Sequence, residues 1–596
     1  MADIPFLWSS GGRKEAMALL DVLWLEGTDE HRERITDAIL AGPPADLLAR
    51  IGEDDRPKSR DRRIFERLKG LERLGAPPLG ERLQAEVERL AIAYPQWIAP
   101  EGERAHFAAW SEVRLGPDSD YSVDDLAQKT TAELVELLVT PTDLREGLLE
   151  AWKELGEAEP EKAVVVLESL AARENPVPTD AWEYGLWGVR STAKDASLRQ
   201  RVLDAVEQIP DALLNHPEVA RVSTDYLHAA AASSPSPTSD PSVWRLFDRT
   251  KIAVSLDETN VQHEDQDAVT HAINSSMGIL AQAYFALLFA RSLKVSSKIP
   301  SDLRDRAERL MTPGSAIHRP ARVIAASRLS YLFAVDPDWT KAWLIPSFDW
   351  AASEGEASAV WQGYAWQPRI DEKLWPVIRP YFLQVFQDGH LETIGEMAKS
   401  LVQLLMLVVL DIEKNGIPND VVRAALRAMT DRHRAEALSW ITHFLAQPEE
   451  PEKEGDTTGT AKTADSIWSR RVAPWIANIW PPEPGIQSGS TSEHFAQIAI
   501  VTDTRFPEAV EAIIPHLVRT NAYYELDRLR HSAHPDNHPR AVIRLIDALA
   551  ERLTLSYDTR DLSNILHRVR AADPTIVNVG AFTEFSNIVM ANPPAT

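Results

Sequence analysis

Apolar residues recur at intervals of three and four along most of the 596-residue chain, which is the spacing of one face of an α-helix. The stretch TPTDLREGLLEAWKEL illustrates the pattern, because its charged residues fill the side of the turn that its apolar residues leave open. The apolar face consists of Leu144, Leu148, Trp152 and Leu155. This pattern predicts an amphipathic helix that packs into a core along one side.

The predicted helices also carry start and stop signals. Thr130 and Glu133 have the spacing of a capping box, in which each side chain accepts a hydrogen bond from a backbone N–H of the first turn. Pro141 predicts the end of that helix. Strand signals are scarce, since there are few alternating runs of β-branched residues and no Asn-Gly or Asp-Gly turns between such runs. The sequence therefore predicts an all-α fold.

Successive helices joined by short Pro- or Gly-marked connections favour stacked antiparallel pairs of the HEAT or TPR kind. No strict repeat period is visible, so the expected architecture is an irregular α-solenoid. Linkers are predicted in the Ser/Pro-rich stretch 231–242 and the polar stretch 448–466, with a weaker boundary at 117–121. The predicted domains are 1–120, 121–232, 243–447 and 466–596.

Composition narrows the class of protein. Hydrophobic residues at 44% and charged residues at 26% are typical of a soluble globular chain. The absence of cysteine excludes disulfides, cysteine nucleophiles and thiolate-bound metals. The formal net charge of -26 opposes generic attraction to nucleic acid or anionic membranes.

The most apolar run, Leu401 to Leu410, has about half the length that a membrane-spanning helix needs and predicts a buried helix. The first residues, MADIPFLWSSGG, lack the basic and apolar regions of a signal peptide. We therefore expect a cytoplasmic protein.

Residues 361–386 contain three tryptophans, which could form a ligand-binding box or the inside of a helical protein. Pro368 predicts the end of one helix at Trp366, and a second helix is predicted from Arg369 to Phe386 with Pro376 near its first turn. Core packing is the favoured interpretation, because large aromatic rings supply much of the buried area between helices.

The densest positive charge lies between Arg56 and Arg73, where eight Lys or Arg accompany three Asp or Glu. Such a helix could contact phosphate or an acidic partner, although a solvated basic face explains the same charge. The predicted partner-binding residues are Arg60, Arg62, Arg63, Arg67, Tyr364 and Trp366.

Other candidate sites are weaker. His531, His534 and His538 lie within eight residues and could hold zinc, but the prolines that follow two of them favour solvated loop histidines. The stretch SSGGRKE, Ser9 to Glu15, lacks the spacing of a phosphate-binding loop. No catalytic, cofactor-binding or metal-ligating residue is predicted.

Several stretches resemble the C-terminal helical region of large bacterial anti-phage defence proteins that carry a sirtuin-like NADase module. The matching segments are RDRRIFERLKGLERLG, AYPQWIAPEGERAHFAAW, DAVTHAINSSMGILAQAYF, AVDPDWTKAWLIPSFDW, WSRRVAPWIANIWP and RFPEAVEAIIPHL. In that family the helical region is thought to sense a viral component, to oligomerise or to hold the effector inactive. The chain has no recognisable sirtuin nucleotide-binding segment, so the resemblance implies the sensor or scaffold half alone.

The leading hypothesis is a non-enzymatic sensor or scaffold that binds a protein partner, either a sirtuin-like effector or a phage protein. The alternative is an enzyme with a dispersed active site, such as a metal-dependent nuclease or hydrolase, with the three histidines as its first candidates. A third hypothesis is an assembly scaffold that oligomerises through tryptophan-rich surfaces.

Overall fold

The structure is a computed structural model of the whole chain. It describes residues 8, 20, 22–25, 27–43, 56–74, 77–94, 97, 121–140, 145–173, 177–233, 241–257, 261, 267–411, 416–446, 463–555 and 559–593. The chain divides into two compact units, Met1–Asp120 and Tyr121–Thr596. The predicted loop Ser9 to Glu15 lies outside the described residues.

The first unit contains three described helices around a small core. Their bounds are α1 Asp29–Ala41, α2 Arg56–Leu74 and α3 Glu81–Ala93. Ile39 of α1, Leu68 of α2 and Leu90 of α3 are fully buried in this core. The apolar stripe of each helix therefore faces the other two, as its sequence pattern predicts.

The first half of the second unit contains fifteen described helices. They are α4 Val123–Gln128, α5 Thr131–Val139, α6 Arg145–Ala158, α7 Pro160–Ala171, α8 Thr179–Gly188, α9 Ala196–Glu207, α10 Asp211–Leu214, α11 Pro217–Ser233, α12 Pro241–Ser255, α13 Ala268–Asn274, α14 Ser276–Ala290, α15 Ser301–Leu310, α16 Arg319–Ala326, α17 Leu329–Val335 and α18 Pro337–Trp343. Two 3-10 segments, Val189–Lys194 and Ile345–Phe348, interrupt the series.

The remaining described helices continue to the C-terminal end of the unit. They are α19 Glu354–Trp366, α20 Trp375–Gln384, α21 His390–Ile394, α22 Ala398–Asp411, α23 Asn419–Ala428, α24 Asp431–Ala446, α25 Ala464–Ile467, α26 Ala473–Asn478, α27 Gly489–Val501, α28 Phe506–Ile513, α29 Tyr523–His531, α30 His534–Asn537, α31 Pro539–Leu549, α32 Arg552–Leu555, α33 Arg560–Ala572 and α34 Gly580–Ala591. A π-helical turn, Trp468–Val472, and the 3-10 segments Gly395–Met397, Pro484–Ile486, Ile514–His516 and Pro574–Asn578 join them.

The all-α prediction is confirmed, because the described parts of the chain contain no β-strand. Their one isolated bridge pairs Thr520 with Ala550. The predicted capping box is also present, since the Thr130 hydroxyl accepts from the Glu133 amide while the Glu133 carboxylate accepts from the Thr130 amide. The helix that it starts, α5, ends at Val139, before Pro141 as predicted.

Many helices of the second unit pack against the helix that lies two or three positions further along the chain. One series of contacts runs α4, α6, α8, α11, α14, α16, α19, α22, α24 and α27, and another runs α5, α7, α9 and α12. Each helix thus has an apolar face toward the member before it and another toward the member after it.

Ion pairs follow the same arrangement. Arg173 binds Glu136 37 residues earlier, Arg201 binds Glu168 33 residues earlier, and Arg245 binds Glu207 38 residues earlier. Similar pairs recur toward the C-terminal end as Arg322–Glu356, Arg432–Glu396, Arg540–Asp573 and Arg568–Asp536, with separations of 34, 36, 33 and 32 residues. A separation of this size corresponds to a helix, its connection and the following helix.

A single core of buried residues runs through the second unit from Leu126 to Phe585. The predicted domains 121–232, 243–447 and 466–596 all contribute to it. Within the predicted linker 231–242, the described residues at each end belong to α11 and α12, and residues 234–240 lie outside the description. Most of the linker 448–466 also lies outside it.

The tryptophan-rich stretch belongs mainly to this core. Twelve of the tryptophans that the structure describes are buried, including Trp361 and Trp375. α19 ends at Trp366 as predicted, but α20 begins at Trp375 and not at Arg369. The reason is local, because the Asp371 carboxylate accepts hydrogen bonds from two backbone amides in the turn that precedes α20.

One described helical stretch, His390–Leu410, has the length and apolar composition of a membrane-spanning helix. Half of its most apolar part is buried inside the protein. The pair Ala268–Asn274 and Ser276–Ala290 meets the same test only when its two helices are joined across a 74° bend. Leu401, Leu405 and Val408 are fully buried in the shared core. The prediction of a buried helix at Leu401–Leu410 is thus confirmed.

Candidate functional site

The arginines of the predicted basic helix are largely engaged inside their own unit. Arg67 is buried with its guanidinium over the Trp8 ring, 5.2 Å from the ring centre. Arg60 donates to the carbonyl oxygens of Leu40 and Ala41, near the end of α1. Arg67 is therefore a core residue and presents no surface to a partner.

The other two arginines of α2 are less enclosed. Arg62 lies over the Trp97 ring at 5.2 Å and within 3.5 Å of Glu66. Arg63 is half-buried and forms no ion pair with any residue that the structure describes. The arginines of this helix thus form mainly intramolecular contacts.

Tyr364 and Trp366 lie on opposite sides of the boundary between core and surface. Tyr364 is 2% exposed, and its hydroxyl donates to the Arg369 carbonyl at 2.7 Å. Burial raises the pKa of the Tyr364 hydroxyl. Trp366 is 37% exposed. Of these two predicted partner contacts, only Trp366 reaches the surface.

The three histidines do not form a metal centre. The His534 ring stacks on Phe506 at 4.0 Å, and its Nε2 lies 2.9 Å from the Ile500 carbonyl oxygen. His531 instead contacts Asp527. Among the described residues, no group of three or more His, Asp or Glu side chains could hold a metal ion.

An open groove in the first half of the second unit was not predicted from the sequence and is lined by charged residues. It encloses about 810 Å³ between α6, the junction of α8 with the 3-10 segment Val189–Lys194, and the end of α11. We name it the Trp187 groove after the ring in its wall. Its charged lining residues are Lys153, Glu157, Arg190 and Lys194.

Two glycines fix the position of the groove. A Cβ on Gly188 would lie 2.4 Å from the Lys153 carbonyl oxygen, and one on Gly156 would lie 2.8 Å from the Gly188 backbone. α6 and α8 therefore cross in direct backbone contact, which any larger residue would prevent. This close approach brings Lys153 beside the residues that follow α8.

The groove is unusual because the described parts of the chain provide no ion pair for two of its cations. Arg190 and Lys194 are exposed and form neither an ion pair nor a hydrogen bond with any described residue. Among the described residues, Lys153 forms one ion pair, a 3.5 Å contact to Glu150. The groove thus collects three cations against one carboxylate, although the whole chain carries a net charge of -26.

The floor of the groove continues along α11. Arg221, Asp225, Ala229 and Ser233 are spaced by four residues, so they share one face of this helix. Arg221 lies over the Trp187 ring at 5.0 Å and 3.5 Å from Glu183, while Ala229 and Ser233 line the groove. Asp225 lies between them on the same face.

Asp225 and His228 are half-buried and form no hydrogen bond or ion pair with the described residues. Burial raises the pKa of Asp225, and the charges of Arg190 and Arg221 oppose this shift. Burial also lowers the pKa of His228, and Arg190 lowers it further. Neither side chain lines the Trp187 groove, to which this helix contributes Ala229 and Ser233.

A serine and a histidine also meet elsewhere, since the Ser255 hydroxyl lies 3.2 Å from His318 Nε2. Burial lowers the pKa of His318 to about 4, and the charges of Lys251 and Arg322 add to this effect. A general base must accept the serine proton, which these two cations oppose. No described residue forms a hydrogen bond with the His318 Nδ1 atom that would orient the ring. This pair does not have the arrangement of a catalytic dyad.

Sequence reasoning missed the Trp187 groove, because its residues come from three separate elements between Lys153 and Ser233. The available signal was slight. The stretch GVRSTAK places two cations in a short connection, and RVSTDYLH places an acid and a histidine at helical spacing. Neither stretch is distinctive without knowledge of the helices that face it.

Comparison with known proteins gives no functional description. No family model matches the chain. A protein of Sinorhizobium fredii, described as uncharacterized protein y4cA, is 21% identical over 580 residues and is matched over 94% of this chain and 46% of its own length. The chain therefore spans about half the length of that relative. A solved engineered protein is 12% identical, with 78% of this chain and 98% of that chain covered and a TM-score of 0.25.

Proposed function

We propose that the chain is a non-enzymatic helical recognition scaffold that binds a protein partner through the Trp187 groove. Its place in anti-phage defence, as the cytoplasmic sensor half of a system with a sirtuin-like effector, rests on the sequence resemblance. The partner segment that the groove fits is acidic and carries an apolar side chain for the Trp187 wall. Oligomerisation through its tryptophan-rich surfaces is compatible with this role.

The observation that carries the proposal is the charge of the groove. Arg190 and Lys194 form no ion pair with the described residues, whereas other arginines of the second unit, such as Arg201 and Arg245, bind carboxylates on neighbouring helices. Complementary charges speed association and select partners. Trp and Arg are also the residue types that dominate the binding energy of protein interfaces. An acidic segment would supply carboxylates for Arg190 and Lys194.

The α-solenoid is part of the same proposal. Contacts between helices two or three positions apart, together with ion pairs about one helical pair apart, support a stack of helical pairs. In such a stack each helical pair packs against the pair before it and the pair after it, and grooves lie between successive pairs. A scaffold of this kind binds an extended segment without a reactive group.

The test uses two fluorescent twelve-residue peptides, one of alternating Glu and Leu and one of alternating Lys and Leu. We expect the acidic peptide alone to bind the full chain, with an affinity that falls as salt is added. The double variant R190E/K194E should weaken binding at least tenfold. A matched double variant, K373E/R570E, changes two exposed cations outside the groove and should stay within twofold of the wild type.

Equal losses in the two double variants would show that only the total charge matters, and no loss in either would remove the groove from the proposal. The enzymatic alternative is checked with the same preparations. We expect the isolated chain neither to turn over NAD nor to retain zinc or manganese at one ion per chain. Turnover that persists in repeated preparations would favour the alternative.

A further inference from the structure

We infer that a second site, outside the Trp187 groove, binds the phosphate group of a small ligand. The site lies where the last turns of α12 and α15 meet the residue before α16. We name it the Lys251 cluster after its central lysine, and its other members are Arg309 and His318. The inference is independent of the proposed function, because none of these residues lines the Trp187 groove.

The face that α12 turns toward its neighbours places Lys251 at the centre of the cluster. Asp248, Lys251 and Ser255 are spaced by three and four residues, so they share one face of this helix. At one end of this face, Asp248 lies 3.8 Å from Arg309 of α15. At the other end, the Ser255 hydroxyl lies 3.2 Å from His318. Lys251 therefore lies between Arg309 and His318.

The nearest carboxylate is already engaged and leaves Lys251 without a partner. The two oxygens of Asp248 accept hydrogen bonds from Arg306 at 3.0 and 2.7 Å, and Arg309 reaches this carboxylate only at 3.8 Å. Lys251 is half-buried, and its ammonium group forms no hydrogen bond or ion pair with any described residue. A half-buried charge without a counter-ion costs free energy in the unbound protein.

A second carboxylate beside the cluster is also shared by two arginines. Glu356 accepts a hydrogen bond from Arg319 at 3.1 Å and forms an ion pair with Arg322 as well. The region therefore holds two carboxylates, Asp248 and Glu356, against five cations, Lys251, Arg306, Arg309, Arg319 and Arg322. This excess of positive charge is local, because the whole chain has a net charge of -26.

The pKa values of two members respond to this excess. Burial lowers the pKa of the Lys251 ammonium group, and the charge of Arg309 lowers it further. Burial also lowers the pKa of His318, and the charges of Lys251 and Arg322 add to the shift. Neighbouring cations thus oppose the charged form of both groups, whereas a bound anion would favour it.

A phosphate group has the charge and the shape that the cluster requires. Its tetrahedral oxygens can meet groups that come from three directions, here from α12, from α15 and from the residue before α16. Lysine and arginine are both established binders of phosphate oxygens. A dianion also offsets more of the excess charge than a single carboxylate does. The acidic remainder of the chain opposes an extended polyanion such as nucleic acid, so the ligand is a small one.

The test measures the binding of two probes by isothermal titration calorimetry at constant ionic strength. Inorganic phosphate is the free ion, and ATP carries the same group on a larger solute. The proteins are the full-length wild type, K251M and K373M. Methionine keeps an apolar stem of similar length and removes the charge. Lys373 is the matched control, because it is exposed and follows the end of α19 that is opposite to Glu356.

We expect the wild type and K373M to bind at least one probe, and K251M to bind it about tenfold more weakly. Tighter binding of inorganic phosphate would identify the free ion as the ligand, and tighter binding of ATP would identify a phosphate group on a larger solute. Absence of binding of both probes to the wild type, or equal losses in K251M and K373M, would overturn the site.

Melting curves in phosphate-free buffer provide a second readout. K251M should melt at or above the temperature of the wild type, because the substitution removes a half-buried charge that has no ion pair among the described residues. Saturating phosphate should then raise the melting temperature of the wild type and K373M but not that of K251M. A K251M variant that is much less stable than the wild type without phosphate would show a structural role for Lys251 and overturn the inference. None of these outcomes bears on peptide binding in the Trp187 groove.

Discussion

Replacement of Trp361 by alanine measures directly whether the tryptophan-rich stretch is core. The Trp361 side chain is completely buried, and its indole nitrogen donates to the Phe348 carbonyl at 3.1 Å. Its ring meets Phe348 edge-on at 4.9 Å and Tyr364 edge-on at 5.5 Å. Truncation removes all of these contacts and leaves a cavity between α19 and its neighbours.

The expected loss of stability can be worked out from the burial. A buried tryptophan removes about 150–250 Å² from water, which at about 25 cal/mol per Å² corresponds to about 4–6 kcal/mol. Alanine retains part of this area, and measured Trp→Ala changes in cores cost about 3–5 kcal/mol. We therefore expect W361A to lose about 4 kcal/mol, or about a thousandfold in the unfolding equilibrium.

The same helix supplies the control. W366A makes the same chemical change at a position that is 37% exposed and should cost about 1–2 kcal/mol. Urea unfolding followed by circular dichroism gives the free energies, and W361F provides a milder core variant that should fall between the two. A W361A loss no larger than that of W366A would refute the core assignment.

Two further predictions concern backbone packing and a buried acid. G278A should lower the free energy of unfolding by several kcal/mol, because a Cβ at this position would clash with the Ala272 carbonyl oxygen. G355A lies in open space and should raise the free energy of unfolding by about 0.5 kcal/mol. Equal shifts of the melting temperature in the two variants would contradict this reasoning. Burial raises the pKa of Glu525 above its usual 4.5, so ionisation above that pH favours unfolding. E525Q should therefore gain thermal stability over the wild type as the pH rises from about 4.5, and a difference that is constant between pH 4 and pH 8 would contradict it.

The parts of the fold that the sequence predicted are those with local causes. The capping box of Thr130 and Glu133 needs only four residues, and the end of α19 at Trp366 needs only the proline two positions later. The early start assigned to α20 was wrong for an equally local reason. Asp371 competes for the backbone amides that a helix beginning at Arg369 would use.

The predicted partner-binding residues depended on information that a single sequence does not contain. The charge count of α2 suggested a basic surface, but Arg67 is covered by a Trp8 ring that lies 59 positions earlier. Likewise Tyr364 and Trp366 are two residues apart, yet only one faces the solvent. The exposed side of a helix depends on which helices pack against it, and the pattern of apolar residues in one helix does not identify these neighbours.

Charge pairing across the second unit explains why the Trp187 groove emerges only from the structure. In the sequence Arg190 and Lys194 are two cations among 63. Many arginines of this unit reach a carboxylate about one helical pair away, as Arg201 does with the earlier Glu168 and Arg245 with the earlier Glu207. Near Arg190, α6 carries Glu157 and α11 carries Asp225, but Arg190 forms no ion pair with either of them or with any other described residue. Arg190 and Lys194 are therefore available to a partner because of the helix packing around them, and the effect of R190E/K194E on peptide binding measures that availability.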